Sequence, residues 1–222
     1  MNATRIGIFS LIVFFILLVL TLPDPEVAQD LKKIKLPWHI TQHEDGTTEV
    51  IDIHLGKTNL QSVNAIFHEA EEIAIYLGKE KLSLEAYFGT IKLGLLEAKL
   101  VATLDIGQQE LEQMLSRAKG LAMSSSADRK IKIADQDIAT ALSTAIASIS
   151  FIPKYSGLEA EFFKERFGEP DAFIRLNENA VQYFYPSKGL SILIDAKGKE
   201  VLEYTLPNAF KMPEEVIYID NK

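Results

Sequence analysis

The segment 148–206 constrains the fold most, because extended and helical patterns follow one another in it in a fixed order. The apolar run 148–153 predicts a strand, and the spacing of apolar residues over 158–167 predicts a helix that stops at a Gly-Glu-Pro sequence. Further extended segments follow this helix, at 172–176, 181–185, 190–195 and 200–206. This order predicts a helix that covers one face of an antiparallel meander.

The first half of the chain repeats this order more weakly. Asp45-Gly46 is turn chemistry, and the alternation of polar and apolar residues over 49–55 predicts a half-buried strand. A helical pattern follows at 59–70, and three strands are then predicted at 73–77, 82–91 and 97–105. We therefore predict an α+β fold, in which an N-terminal transmembrane helix precedes two similar helix-plus-antiparallel-sheet units with the order of a pseudo-twofold duplication.

Composition divides the chain into five segments. They are an N-terminal membrane anchor at 1–22, a juxtamembrane spacer at 23–35, a first α+β unit at 36–122, a Ser-rich linker at 123–129 and a second α+β unit at 130–222. Helices are also predicted at 108–119 and 135–147, with a short strand at 130–133. The apolar residues 216–219 are either a last edge strand or a tail that awaits a partner.

The predicted membrane anchor is the uncharged run 6–22, which follows Arg5 and precedes two acidic residues. Its length is the short end of a spanning helix, and the charge asymmetry places the N-terminus in the cytoplasm. A cleaved signal peptide is the alternative, but Ala28 is the only small residue near a cut and Glu26 lies two positions before it. A retained anchor predicts a bacterial, single-pass protein of the inner (cytoplasmic) membrane, whose body lies in the periplasm or outside the cell.

Composition also argues against several classes of function. The chain has no cysteine, which excludes disulfides, thiolate metal ligands, cysteine nucleophiles and a lipidated N-terminal cysteine. A net charge of -8 without a basic stripe disfavours nucleic acid as a partner. No Gly-rich phosphate loop and no Gly-x-Ser-x-Gly turn occurs. We therefore predict no catalytic residue and no cofactor.

Two histidines have the spacing of a zinc motif. His39 and His43 stand at i and i+4, which on a helix places two imidazoles on one face. Pro37 before them and the turn after them predict extended or turned chain instead, and Ile40 stands where a metalloprotease needs glutamate. We therefore interpret these histidines as solvated or packed and predict no metal site. An enzyme would need His39, His43 and carboxylates in one cleft, and we predict that the chain is not an enzyme.

Aromatic residues concentrate between 162 and 185. The phenylalanines are predicted to form the core of the second unit, whereas the alternate strand residues Tyr183 and Tyr185 can face either a core or a partner. Aromatic residues are enriched at the hot spots of protein interfaces. Tyr183, Tyr185 and Tyr218 are therefore candidate partner contacts.

Three short sequences in the second half carry a family resemblance: Phe-Gly-Glu-Pro at 167–170, VQYFY at 181–185 and ILIDAKGK at 192–199. Together they resemble the SmpA/OmlA-type domain of outer-membrane assembly lipoproteins and, more loosely, the β-lactamase-inhibitor-protein fold. The chain departs from that family because it lacks the lipidation cysteine, and its first half lacks the Gly-x-Pro stop. The resemblance implies a non-catalytic domain that binds other proteins of the cell envelope.

These observations predict a membrane-anchored extracytoplasmic accessory or assembly subunit of a cell-envelope membrane protein complex, acting by protein–protein contact. Its expected partners are the membrane, through the N-terminal helix, and a membrane protein. The alternative is a periplasmic small-molecule or lipid-binding module that uses the crevice between the two units.

Overall fold

Antiparallel strand pairing determines the architecture of this chain. The computed structural model describes residues 35–78, 81–118, 129–155 and 157–219. A three-stranded sheet contains β1 (Thr41–Gln42), β2 (Thr48–Val50) and β3 (Ile53–His54). A ten-stranded sheet contains β4 (Glu72–Leu77), β5 (Leu82–Leu93), β6 (Leu96–Leu104), β7 (Arg129–Lys132), β8 (Ile146–Pro153), β9 (Ala172–Arg175), β10 (Ala180–Tyr185), β11 (Leu190–Asp195), β12 (Val201–Thr205) and β13 (Ile217–Tyr218).

The order of strands in the large sheet is β13-β9-β10-β11-β12-β8-β6-β5-β4-β7. The described residues also contain four short α-helices: α1 (Leu60–Phe67), α2 (Gln108–Arg117), α3 (Ile138–Ser143) and α4 (Ala160–Phe167). The protein is therefore mostly β, and the predicted α+β class with two helix-plus-sheet units is wrong. A helix does precede a meander in each half, but β6 pairs with β8 and so both meanders belong to one sheet.

The physical reason for this error is that periodicity identifies strands but not their neighbours. Alternation along a strand reports which side chains face a core. The pairing of β6 with β8 joins residues that are far apart in sequence, from Ala98 opposite Pro153 to Leu104 opposite Ile146. Nothing in the local pattern of either strand specifies that contact. The proposed segment boundaries stay predictions, and residues 123–128 of the linker lie outside the described residues.

The predicted strand 49–55 is also wrong, because the chain folds back inside it. Ile51 and Asp52 have φ values of 47° and 63° and connect β2 to β3 as a two-residue hairpin turn. Positive φ at both central residues is the pattern of a type I′ turn, whose twist matches that of its strands. The alternation in the sequence is misleading, since Val50 and Ile51 are consecutive and both are buried.

Two other elements differ from their predicted form for local reasons: one helix is shorter than predicted and one strand contains a bulge. The helix predicted at 135–147 ends at Ser143, because β8 already begins at Ile146. In β5 the register shifts between Tyr87 and Thr90, where Gly89 has a φ of 60°. A bulge of this kind inserts one residue, so that apolar side chains before and after it face the same side.

The main core lies on one face of the large sheet. Its central strands contribute side chains that are almost fully buried: Leu84, Ala86, Leu100, Ala102, Ile149, Phe151, Leu190, Ile192, Leu202 and Tyr204. The Tyr204 hydroxyl donates a hydrogen bond of 2.7 Å to the Pro37 carbonyl. Next to Pro37, the Trp38 ring packs edge-on against Phe162 of α4, with 5.8 Å between ring centroids. These contacts attach the first residues of the folded body to the core.

The predicted membrane anchor has no counterpart among the described residues. None of the helices in the described ranges is long and apolar enough to cross a membrane. The span predicted at residues 6–22 lies outside those ranges. The structure therefore does not support the single-pass topology or the periplasmic location predicted from that span, and we no longer infer them.

At Gly189 only glycine fits, which gives a first test of the fold. Gly189 has a φ of 62°, and a Cβ atom there would lie 2.0 Å from the Thr205 carbonyl oxygen. We expect Gly189→Ala to lower the free energy of unfolding by more than about 3 kcal/mol, measured by urea denaturation. The matched control is Gly46→Ala, where φ is 77° and nothing lies within 4 Å of the Cβ. It should cost only the conformational strain, about 1 kcal/mol. Equal losses in both variants would contradict the close approach.

A buried carboxylate gives a second test. Glu200 is 1% exposed, and its Oε1 accepts hydrogen bonds from the backbone N–H groups of Gly157 and Leu158, at 3.0 and 2.9 Å. Glu200→Ala leaves both donors without this acceptor, so we expect a loss of about 1–3 kcal/mol in urea denaturation. The exposed Glu112→Ala should change stability by less than about 0.5 kcal/mol. If both glutamates prove equally dispensable, Glu200 does not hold the segment before α4.

Candidate protein-binding edge

The two edges of the ten-stranded sheet differ in their chemistry. At one edge, β7 has the sequence Arg-Lys-Ile-Lys, and Lys130 forms an ion pair with Glu72. At the other edge, β13 exposes 55% of Ile217 and 69% of Tyr218. Natural proteins protect edge strands with charge, and lysine in particular, because an unpaired edge accepts another strand. By this criterion the β7 edge is protected, whereas the β13 edge is protected only by its shortness.

The pairing of β13 distinguishes between the two alternatives for residues 216–219, an edge strand or a tail that awaits a partner. Ile217 pairs with Phe173 and Tyr218 with Ala172, both in β9, and the Ile219 N–H donates to the Asp171 carbonyl. The segment is therefore an edge strand of its own sheet. In the described part of the chain no strand pairs with the outer side of β13.

A groove of about 330 Å³ adjoins this edge strand. It is lined by Lys164, Phe173, Arg175, Asn177, Glu178, Asn179, Ala180, Val181, Tyr183, Ile194, Ala196 and Ile219. Phe173 and Tyr183 are opposite one another on β9 and β10, and their rings meet edge-on with 6.5 Å between centroids. The groove therefore has an aromatic and aliphatic floor that extends to Ile219, the residue directly after β13.

The charged side chains at this groove are mainly cationic. Lys164 of α4 lies 3.0 Å from the Glu169 carboxylate, and this hydrogen bond raises the pKa of Lys164. Arg175 is exposed at the end of β9, and within the described ranges no carboxylate lies within salt-bridge distance of it. Glu178 is the one acidic residue in the lining. Because Lys164 is already paired with Glu169, Arg175 is the cation that an acidic side chain of a bound segment would meet beside the apolar floor.

The structure separates the three tyrosines that the sequence grouped as candidate contacts. Tyr185 is fully buried, its hydroxyl donates a 3.0 Å hydrogen bond to the Gly168 carbonyl, and burial raises its pKa. It is a core residue. Tyr183 is half-buried in the groove, and Tyr218 is exposed on β13. Alternation correctly places Tyr183 and Tyr185 on one face, but only the chain after α4 determines which of them is covered.

The histidines are arranged differently from the predicted i, i+4 pair. His39 is exposed beside Trp38, and the His43 ring instead stacks on the ring of His54, with 4.1 Å between centroids and 7° between planes. Glu49 lies beside this pair. The i, i+4 spacing of His39 and His43 did not indicate that His54 and Glu49 are neighbours of His43. The Asp-Gly turn was an available signal, but the unexpected fold-back at 51–52 is also needed to bring the three together.

Comparisons with known proteins give no indication of a function for this chain. No protein-family model matches the chain, and neither a curated protein nor a solved structure is significantly similar to it. The resemblance to SmpA/OmlA-type domains therefore stays a prediction.

Proposed function

We propose that this protein is a non-catalytic accessory or assembly subunit that binds an extended segment of a partner protein along β13. The observation that carries the proposal is the exposure of Ile217 and Tyr218 on the last strand of a ten-stranded sheet. An added strand gains main-chain hydrogen bonds from the sheet edge, and alternate side chains enter neighbouring pockets. The groove beside β13 is such a pocket.

The chemistry of the partner segment follows from the groove. Phe173 and Tyr183 favour an apolar or aromatic side chain, since buried aromatic contacts dominate the energetics of interfaces. Arg175 favours an acidic side chain next to it in the segment, because such a charge speeds association and excludes cationic competitors. The proposed ligand is therefore an extended segment with alternating apolar and acidic residues.

The ligand-binding alternative receives less support from the arrangement of strands. It relied on a crevice between two units, whereas β6 and β8 are hydrogen-bonded neighbours at the place where that crevice was expected. No feature of the described residues favours a lipid or metabolite over a peptide segment at β13.

Site-specific photocrosslinking tests the proposal. A benzophenone amino acid is placed at position 218 of the full-length chain in its native cells, and the crosslinked partner is identified by mass spectrometry and purified. Its affinity for the unmodified chain is then measured. We expect Tyr218→Ala to weaken that affinity at least about tenfold, the loss of a hot-spot side chain.

Tyr155 supplies the matched control, because it is a tyrosine that is 53% exposed and lies away from the groove. A benzophenone at position 155 should not capture the same partner, and Tyr155→Ala should leave the affinity within about twofold. The proposal fails if position 218 captures no protein, or if the purified partner binds Tyr218→Ala as tightly as the unmodified chain.

A further inference from the structure

Three side chains on one face of the small sheet bring metal-ligating atoms together. Glu49 of β2 is directly opposite His54 of β3, and the His43 N–H donates to the Thr47 carbonyl as the β1–β2 pairing continues. Residues that are opposite one another on neighbouring strands point to the same face. One atom from each of His43, Glu49 and His54 lies within 4.8 Å of the other two.

The His43 ring has an unused nitrogen inside this cluster. Its Nε2 is buried, has no hydrogen-bond partner among the described residues, and lies 3.4 Å from Glu49 Oε2. Buried polar atoms without a partner are rare, because leaving them unpaired costs free energy. An ion between His43 and Glu49 would satisfy both atoms.

The two oxygens of Glu49 have different partners. Lys35 donates a hydrogen bond to Oε1, and this contact lowers the pKa of Glu49. Oε2 faces His43. Lys35 therefore orients the carboxylate and leaves one anionic oxygen directed at the imidazoles.

A hydrogen-bonded chain fixes the tautomer of His54. The Thr47 hydroxyl lies 2.5 Å from Asp45 Oδ1 and 2.6 Å from His54 Nε2. An ionised carboxylate only accepts, so the hydroxyl donates to Asp45 and must accept from His54 Nε2–H. The lone pair of neutral His54 is then on Nδ1. Metal-binding imidazoles are commonly oriented by such a second hydrogen bond, which here ends at a carboxylate that Lys57 contacts.

The stacked rings require one adjustment. An ion binds a ring nitrogen in the plane of the imidazole, and two planes only 7° from parallel do not converge between the rings. One ring must therefore turn about its Cβ–Cγ bond as the ion enters. That ring is His43, because His54 Nε2 is hydrogen-bonded to Thr47 whereas His43 Nε2 makes no hydrogen bond and has only its 3.4 Å contact with Glu49 Oε2.

We infer that His43, Glu49 and His54 form a binding site for one zinc ion or a similar divalent transition metal. Two imidazoles and a carboxylate suit zinc, cobalt or nickel, whereas magnesium and calcium prefer sites made only of oxygen. Three protein ligands leave the fourth position of zinc to water or to a ligand from outside. The bound ion joins β2, β3 and the end of the β1–β2 hairpin, and the site is separate from the β13 edge.

Zinc titration of the full-length, chelator-treated chain tests this site. Competition against a chromophoric chelator at pH 7.5 should give one zinc ion per chain. His43→Ala and His54→Ala should each weaken binding more than about 100-fold, and Thr47→Val, which removes only the orienting hydroxyl, about tenfold. The matched controls are His39→Ala and His68→Ala, since both histidines are exposed and lie outside the cluster. They should change the affinity less than twofold.

Histidine NMR keeps the test decisive even where a variant fails to fold. In the unaltered chain, zinc should shift the ring ¹⁵N signals of His43 and His54, the latter at Nδ1, and leave those of His39 and His68 in place. The inference is overturned if the chain takes up no stoichiometric zinc, if the shifts appear at His39 or His68, or if folded His43→Ala retains full affinity.

Discussion

The pairing of β6 with β8 is the contact on which the rest of this fold depends. It joins the two meanders in the middle of the ten-stranded sheet and buries Leu100 beside Phe151, whereas β7 of the second half pairs with β4 of the first at the edge. From the β6–β8 pairing the sheet extends through sequential hairpins on one side to β4 and on the other side, through β12, to β9. The continuous core under both meanders follows from this long-range contact. Because such a contact closes a long loop before it gains any packing energy, it is costly in chain entropy.

Much of the local structure could be predicted from the sequence. Helix α4 ends where the Gly-Glu-Pro stop was noted, and the strands from β9 to β12 lie where alternating and apolar runs were found. Local steric preferences and the burial of alternate side chains determine these elements, and both are visible in a short window of residues. The sheet order is not visible there, because every antiparallel strand offers the same backbone groups to any neighbour. That is why the two predicted units are one sheet.

Some of the candidate functional residues could also be identified from the sequence, whereas others depend on long-range folding. Tyr218 could be identified as a candidate contact because it lies in a terminal apolar segment, and the structure places it on an exposed edge. Tyr183 and Tyr185 have the same local pattern, and only the packing of the chain beyond α4 distinguishes them. The group of His43, Glu49 and His54 could not be predicted, because an isoleucine at positive φ turns the chain between the second and third of these residues. A β-branched residue rarely adopts that conformation, so turn rules based on residue type miss it.

The unlike chemistry of the two sheet edges limits how copies of this chain can associate. A sheet with two receptive ends could add one copy to the next indefinitely, since a head-to-tail contact that does not close produces a filament. Here the basic residues of β7 disfavour the second half of that contact. A strand added at β13 would therefore be the last one, because the charged β7 edge disfavours the addition of a further copy.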